Sequence, residues 1–177
     1  PENLASFFNK IDGALIKKHS GTMLFNLPSE EIWKNPDRFL DYVRVADMIF
    51  PDNDKIILLN EYALSEMDTT GLLSIQESMP SHINLGLNNC YIGNDILSII
   101  SRIEFSMIFL SESITRNLHL FKNRIKIISG LKIFLDQVGI PLCAKNIRLE
   151  EEYQVIRDLR LSYISGSYIE TIADHLL

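Results

Sequence analysis

The chain has 177 residues, 46% hydrophobic and 23% charged, the size and apolar content of one cored globular domain, which excludes a disordered segment. Its 17 Lys and Arg against 23 Asp and Glu give a net charge of −6, so no general pull toward phosphate backbones exists and direct nucleic-acid binding is not expected. Apolar runs are broken every few residues by Lys, Arg, Asp or Asn, so none approaches the roughly 18 to 20 apolar residues of a membrane span.

Leu4, Phe8, Ile11 and Leu15 recur at helical spacing and predict a first helix. Pro1-Glu2-Asn3-Leu4 lacks an initiator Met, a basic start and an apolar secretory core, so no signal peptide is expected, and the start is compatible with a piece of a longer chain. Ser20-Gly21 breaks the pattern, and Met23-Leu24-Phe25 reads as a short buried strand. Asn35-Pro36-Asp37 is a helix start, with Asn35 as N-cap and Pro36 at the first helical position. Phe39, Val43, Ala46 and Phe50 mark the buried face that follows.

Next come a strand at Ile56–Leu59, a helix from Thr69-Thr70 to just before Pro80, and a strand at Ile83–Leu87. A helix over Asp95–Arg102 and a strand at Met107-Ile108-Phe109 precede a long helix from about Ser113 to Val138, closed by Gly139. Pro141-Leu142-Cys143-Ala144 is the next strand. The helix Glu150–Leu159 opens with three acids suited to its N-terminal dipole, and the strand Ser162-Tyr163-Ile164 and helix Tyr168–Leu177 end the chain. Short apolar strands alternating with helices predict a parallel sheet buried on both faces. Periodicity leaves open sheet and barrel undecided, because both repeat the same unit and six strands are fewer than the eight of a closed TIM barrel.

The turning points together resemble the EAL domain, the family of bacterial cyclic di-GMP phosphodiesterases built on a variant TIM barrel. Phe25-Asn26-Leu27-Pro28-Ser29, followed by Asn35-Pro36, is similar to that family's Val-Asn-Leu-Ser strand end and the Asp-Pro opening its next helix. Leu58-Leu59-Asn60-Glu61 lies where the family has Glu-Leu-Thr-Glu, and Leu87-Asn88-Asn89-Cys90-Tyr91-Ile92-Gly93 stands at Leu-Asp-Asp-Phe-Gly-Thr-Gly. Met107-Ile108-Phe109-Leu110 matches Ile-Lys-Ile-Asp, Ala144-Lys145-Asn146-Ile147-Arg148-Leu149 matches Ala-Glu-Gly-Val-Glu-Thr, and Tyr163-Ile164-Ser165-Gly166 matches Val-Gln-Gly-Tyr. The matches keep their order and separation from about Glu2 to Tyr168. The resemblance implies an α/β fold of incomplete TIM-barrel-like (β/α) type, with about six strands and covering helices. Residues 1–177 form a single EAL-like domain in this reading, lacking the first two strands and the Glu-Ala-Leu segment.

In that family, carboxylates hold two divalent cations so that a bound water attacks a phosphodiester. On this alignment Leu58 replaces a metal glutamate, Asn88 and Asn89 replace two aspartates, and Ile108 replaces the active-site lysine. Lys145 and Arg148 replace glutamates, and Asn26 alone keeps a metal-ligand identity. The expectation is therefore no enzyme, no metal and no cofactor. A binding role without hydrolysis is the alternative, a cyclic di-GMP receptor with Lys145 and Arg148 facing phosphates. Degenerate members of the family act by binding other proteins, including transcription regulators of motility. The resemblance thus implies a non-catalytic protein-interaction module in bacterial signalling or gene regulation.

Other features read more plainly. His19, His82, His119 and His175 have no i, i+4 partner and are expected to face solvent. Cys90 and Cys143 belong to no C-x-x-C pair or zinc-spaced cluster and read as two buried thiols of a protein in a reducing cytoplasm. No Gly-x-Ser-x-Gly, phosphate-loop or His-Glu-x-x-His stretch occurs. On the long helix, Ile114, Leu118, Phe121, Ile125, Ile128 and Leu135 make one apolar stripe for packing. Leu120, Ile127 and Phe134 make a second which, with Leu131 and Ile133, marks an association surface flanked by Arg116, Lys122, Arg124, Lys126 and Lys132. Leu120, Ile127, Leu131 and Phe134 are the expected partner-binding residues. The expected partner is another bacterial protein of the transcription- or signalling-regulator kind, or a second copy of the chain.

Overall fold

Short apolar runs become strands and the amphipathic segments between them become helices. The computed structural model describes residues 21–26, 35–60, 64, 69–93 and 96–176. The expected first helix on Leu4, Phe8, Ile11 and Leu15 lies outside these residues, as do Pro28, Ser29, Glu61 and Asp95. The strands are β1 Met23–Asn26, β2 Lys55–Asn60, β3 Ile83–Cys90, β4 Met107–Leu110, β5 Leu142–Ala144 and β6 Tyr163–Ile164. The helices are α1 Pro36–Ile49, α2 Thr69–Ser78, α3 Ile96–Ile100, α4 Glu112–Thr115, α5 Lys122–Gln137, α6 Glu150–Asp158 and α7 Ser167–Leu176. Strand order in the sheet follows the chain, β1-β2-β3-β4-β5-β6, the succession of a (β/α) barrel left incomplete at six strands among the described residues. Contacts cluster into two compact units, Pro1–Leu85 and Gly86–Leu177.

In the first unit, β1 pairs with β2 in parallel, Met23 opposite Lys55 and Asn26 opposite Leu58. Asn35 caps α1 as its sequence position predicts: its Oδ1 accepts the Asp37 and Arg38 amides at 3.0 and 3.3 Å. The helix buries Phe39, Tyr42, Val43 and Ala46, while Phe50 packs on Phe25 with ring centroids 5.5 Å apart. The Tyr42 hydroxyl donates to the Asn26 carbonyl at 3.1 Å, and burial pushes its pKa up to about 12.

At the start of β2 the apolar pattern is broken by a fully buried lysine. Lys55 Nζ lies 2.8 Å from Asp47 Oδ1 and donates to the Asn53 carbonyl at 2.7 Å. His82 Nε2 sits 2.7 Å from the same Asp47 oxygen. An ammonium taken from water costs several kcal/mol unless it is paired, so Asp47 and the Asn53 carbonyl are what make Lys55 tolerable here.

In the second unit, β3 from Gly86 onward pairs in parallel with β4, β4 with β5, and β5 with β6. Leu87, Ile108, Leu110, Leu142 and Cys143 are buried in these strands, and Ile128, Leu135 and Ile156 cover them from the helices. Cys90 and Cys143 are free, buried thiols, and burial pushes Cys143 up to about 12.

The expected helix from Ser113 to Val138 is not continuous. Asn117 takes a left-handed conformation, φ 54°, after α4 ends, a 3-10 turn runs over Leu118–Leu120, and α5 starts anew at Lys122. Arg124 fastens the break: its Nη1 lies 3.2, 3.3 and 3.4 Å from the carbonyls of Ser113, Ile114 and Arg116. Its guanidinium also stacks 4.3 Å from the Phe121 ring centroid. This bend leaves Phe121 exposed, whereas the first stripe was expected to bury it. Gly139, at φ 74°, closes α5 as predicted.

Replacing Asp47 by Ala strands the buried Lys55 ammonium, and we expect a loss of about 2–3 kcal/mol in urea unfolding at neutral pH, below the fully buried range because Asp47 is partly exposed. Hydrogen bonds from Lys55, then from His82, hold the Asp47 carboxyl below its ordinary value of 3.8. Its contribution is therefore present above that value and is lost as pH falls through the folded-state pKa. The gap between wild type and Asp47→Ala should close in that acid range; a gap independent of pH would contradict the assignment.

Candidate functional site

The carboxyl ends of β3, β4 and β5 bring together segments that the resemblance was expected to place at a metal site. At the end of β3 the register shifts between Leu87 and Cys90, and Asn89 adopts φ 55°, a conformation asparagine tolerates better than most residues. Asn88 Oδ1 accepts the Asn89 amide at 3.0 Å and the Lys145 ammonium at 2.5 Å. Lys145 follows the last residue of β5, half-buried. Desolvation lowers its pKa, and the charge of Glu112 acts in the opposite direction.

Beside this pair, Glu112 opens α4 two residues past β4. Its carboxylate accepts from Arg116, from Arg148 Nη2 at 3.0 Å and from Asn146 Nδ2 at 3.2 Å. The Arg116 hydrogen bond is the main reason its pKa lies below the usual glutamate value, with Arg148 and Asn146 adding to it. Asn146 is itself left-handed at φ 60°.

Beneath these contacts lies Glu152, a buried carboxylate. Its Oε1 accepts the Asn117 amide at 2.7 Å, and Oε2 accepts the Arg148 and Leu149 amides at 3.1 and 3.3 Å. It thus satisfies the start of α6 and the turn after α4 with one side chain. The loop after β5 is also held by the turn after β6: Ile147 donates to Ser165 at 3.0 Å, and Tyr168 donates to Ile147 at 3.2 Å. Gly166, at φ 143°, makes that approach, since a β-carbon there would lie 2.3 Å from the Ile147 backbone nitrogen and oxygen.

Lys145 and Arg148, the expected phosphate contacts, therefore both lie at this mouth, engaged with Asn88 and Glu112. Asn26, expected from the resemblance to be a remnant metal position, ends β1 in the first unit, where its carbonyl accepts from the Tyr42 hydroxyl. Leu58 and Ile108 are buried apolar residues of β2 and β4. A pair of divalent cations needs several hard carboxylate oxygens, and the groups that the second unit offers at these positions do not fit: amides at 88 and 89, an ammonium at 145 and a guanidinium at 148. Among the described residues no three His, Cys, Asp or Glu side chains converge as a metal group.

On α5, Ile127 and Phe134 are 55% and 37% exposed, and Leu120, on the 3-10 turn, is 65% exposed. Leu131 departs from expectation. It is only 9% exposed, on the same side of α5 as the buried Ile128 and Leu135, and so contributes to the core rather than to an outer stripe. Sequence reading also missed Glu112, Asn146 and Glu152. Of these only Glu152 left a signal, standing three residues after the N-cap Leu149 where a capping glutamate belongs.

No family model matches the sequence, and no curated protein matches it. Solved structures do match. BlrP1 of Klebsiella pneumoniae, in a manganese and cyclic di-GMP complex, is 15% identical with a TM-score of 0.74, over 87% of this chain and 40% of that one. The FimX EAL domain from Pseudomonas aeruginosa, bound to c-di-GMP, is 15% identical with a TM-score of 0.69, over 93% and 65%. A PaMucR phosphodiesterase in complex with c-di-GMP is 15% identical with a TM-score of 0.69, over 82% and 59%. The fold is that of an EAL domain, an incomplete TIM-barrel-like (β/α) sheet with covering helices. The chain spans less than two thirds of the length of each of these structures. Among the described residues no helix is long and apolar enough to cross a membrane.

Glu152→Gln keeps the shape but replaces one acceptor oxygen by a donor facing a backbone amide, and we expect it to cost about 2–3 kcal/mol in urea unfolding. A change below about 0.5 kcal/mol would show that the three amides are satisfied otherwise. Gly166→Ala should destabilise by more than about 1 kcal/mol, through both its φ and the Ile147 backbone. An unchanged melting temperature would refute that close approach.

Proposed function

We propose that this chain is a non-catalytic EAL-like module that works through protein contact in bacterial signalling or transcriptional regulation, in the cytoplasm. The observation that supports it best is the Lys145 ammonium, 2.5 Å from Asn88 Oδ1. The resemblance aligns both positions with metal-binding carboxylates of the phosphodiesterases. A positive charge there repels the divalent ions that the family's hydrolysis requires, and Asn88 offers a neutral amide oxygen in place of a charged one. Arg148, held by Glu112, adds a second cation at the same mouth. The exposed apolar residues of α5 supply the contact surface in this reading.

Cyclic di-GMP, which the structural neighbours bind, is the ligand to test. Calorimetric titration with and without manganese, followed by analysis for cleaved product, should show neither heat nor product. Micromolar binding without product would replace the reading by that of a nucleotide receptor, with Lys145 and Arg148 released to phosphates. Metal-dependent product would overturn it.

A further inference from the structure

The exposed face of α5 carries its own description of a partner. Plotted at 100° per residue, Ile127, Ile133, Phe134 and Val138 share one outward arc with Lys122 and Lys126, centred on Gly130. All are exposed to solvent. Of the five cations that the sequence places around this helix, three are spent within the chain. Arg116 pairs with Glu112, Arg124 holds the carbonyls after α4, and Lys132 pairs with Asp136 at 2.5 Å. Lys122 and Lys126 make no ion pair among the described residues, and they stand on the apolar arc itself.

The arc continues at its carboxyl end into a groove of about 510 Å³, where Phe134 and Val138 meet Leu97, Ile103, Phe105 and Ile140. The face therefore has cations at its amino-terminal half and, at its carboxyl-terminal end, a recess lined mainly by apolar side chains with Glu104 and Ser101 also in its wall, separated by ~18 Å at 1.5 Å per residue. Gly130 lies between them, and a β-carbon there would meet nothing within 4 Å, so packing within the chain does not require a glycine at this point. A mid-helix glycine costs about 1 kcal/mol against alanine, and on an outward face it permits close approach of another helix.

We infer that this face docks an acidic amphipathic helix of another protein, with an apolar side chain in the Phe134–Val138 groove and Asp or Glu residues over Lys122 and Lys126. The inference rests on the protein-contact reading above and specifies the chemistry of the partner. Charge selects the occupant. A basic or neutral helix would leave the two ammonium groups facing like charge or no charge, whereas carboxylates complement them and orient the helix along the face.

The test is selection of the full chain against a displayed library of amphipathic helices ~18 residues long, long enough to span the face, with an apolar seam and randomised flanks. Selected peptides should be rich in Asp and Glu roughly 8 to 12 positions from an apolar anchor. In fluorescence anisotropy their binding should weaken at least ~10-fold on Ile127→Asp with Phe134→Asp, and weaken with added salt. The Lys122→Glu, Lys126→Glu variant should select Lys- and Arg-rich peptides instead. Unchanged urea midpoints in both variants keep loss of folding apart from loss of contact. Absence of selected binders, lack of acidic bias, or a bias that survives the double glutamate change would overturn the proposal. So would sedimentation showing a dimer that Phe134→Asp dissolves, since a second copy would then own the face. These outcomes are separate from the nucleotide titration, which reports on the strand-end mouth.

Discussion

One buried carboxylate organises the second unit. Among the described residues Glu152 has no ion-pair partner; it is satisfied by three backbone amides, those of Asn117, Arg148 and Leu149. Such hydrogen bonds to a charged acceptor are worth roughly 1.5–3 kcal/mol each, and here they determine where three chain segments lie. They start α6, they stop the chain from running helically through Asn117, and they fix the loop that presents Lys145, Asn146 and Arg148. The break after α4 in turn places α5, so the mouth and the outward helix face share this origin.

At the strand-end mouth, cationic side chains are held by neutral and acidic oxygens of the same loops. Asn88 keeps the outline of an aspartate but accepts as a neutral amide, and the ammonium of Lys145 fills the hydrogen-bonding need on the other side. Glu112 gathers Arg116, Arg148 and Asn146. The result is a network whose positive groups already have partners, so an incoming anion would have to compete with Asn88 and Glu112, and an incoming cation would meet ammonium and guanidinium first.

In the first unit the same accounting applies to Lys55. Its burial at the head of β2 is sustained by Asp47, the Asn53 carbonyl and the His82 contact to Asp47, which connect α1 with the turns leading into β2 and β3. This cluster does not read as a motif in the sequence. Asp47 looks like one surface acid on an amphipathic helix, and Lys55 like a strand-flanking charge.

The sequence by itself determined the alternation of strands and helices, the Asn35 cap, the Gly139 stop and the six strand positions, because these depend on local periodicity and on residues with restricted backbone choices. The motif order at the turning points was enough to identify the EAL type of fold. Tertiary structure alone decided that the predicted long helix breaks at Asn117, because the amide acceptor that rewards the break comes from Glu152, 35 residues away. It alone decided that Leu131 turns inward while Ile127 and Phe134 stay outside, because the broken helix sets its own rotation against the sheet. It also decided which cations are consumed: pairing between Glu112 and Arg148, or Lys145 and Asn88, depends on distances in space that no spacing along the chain encodes.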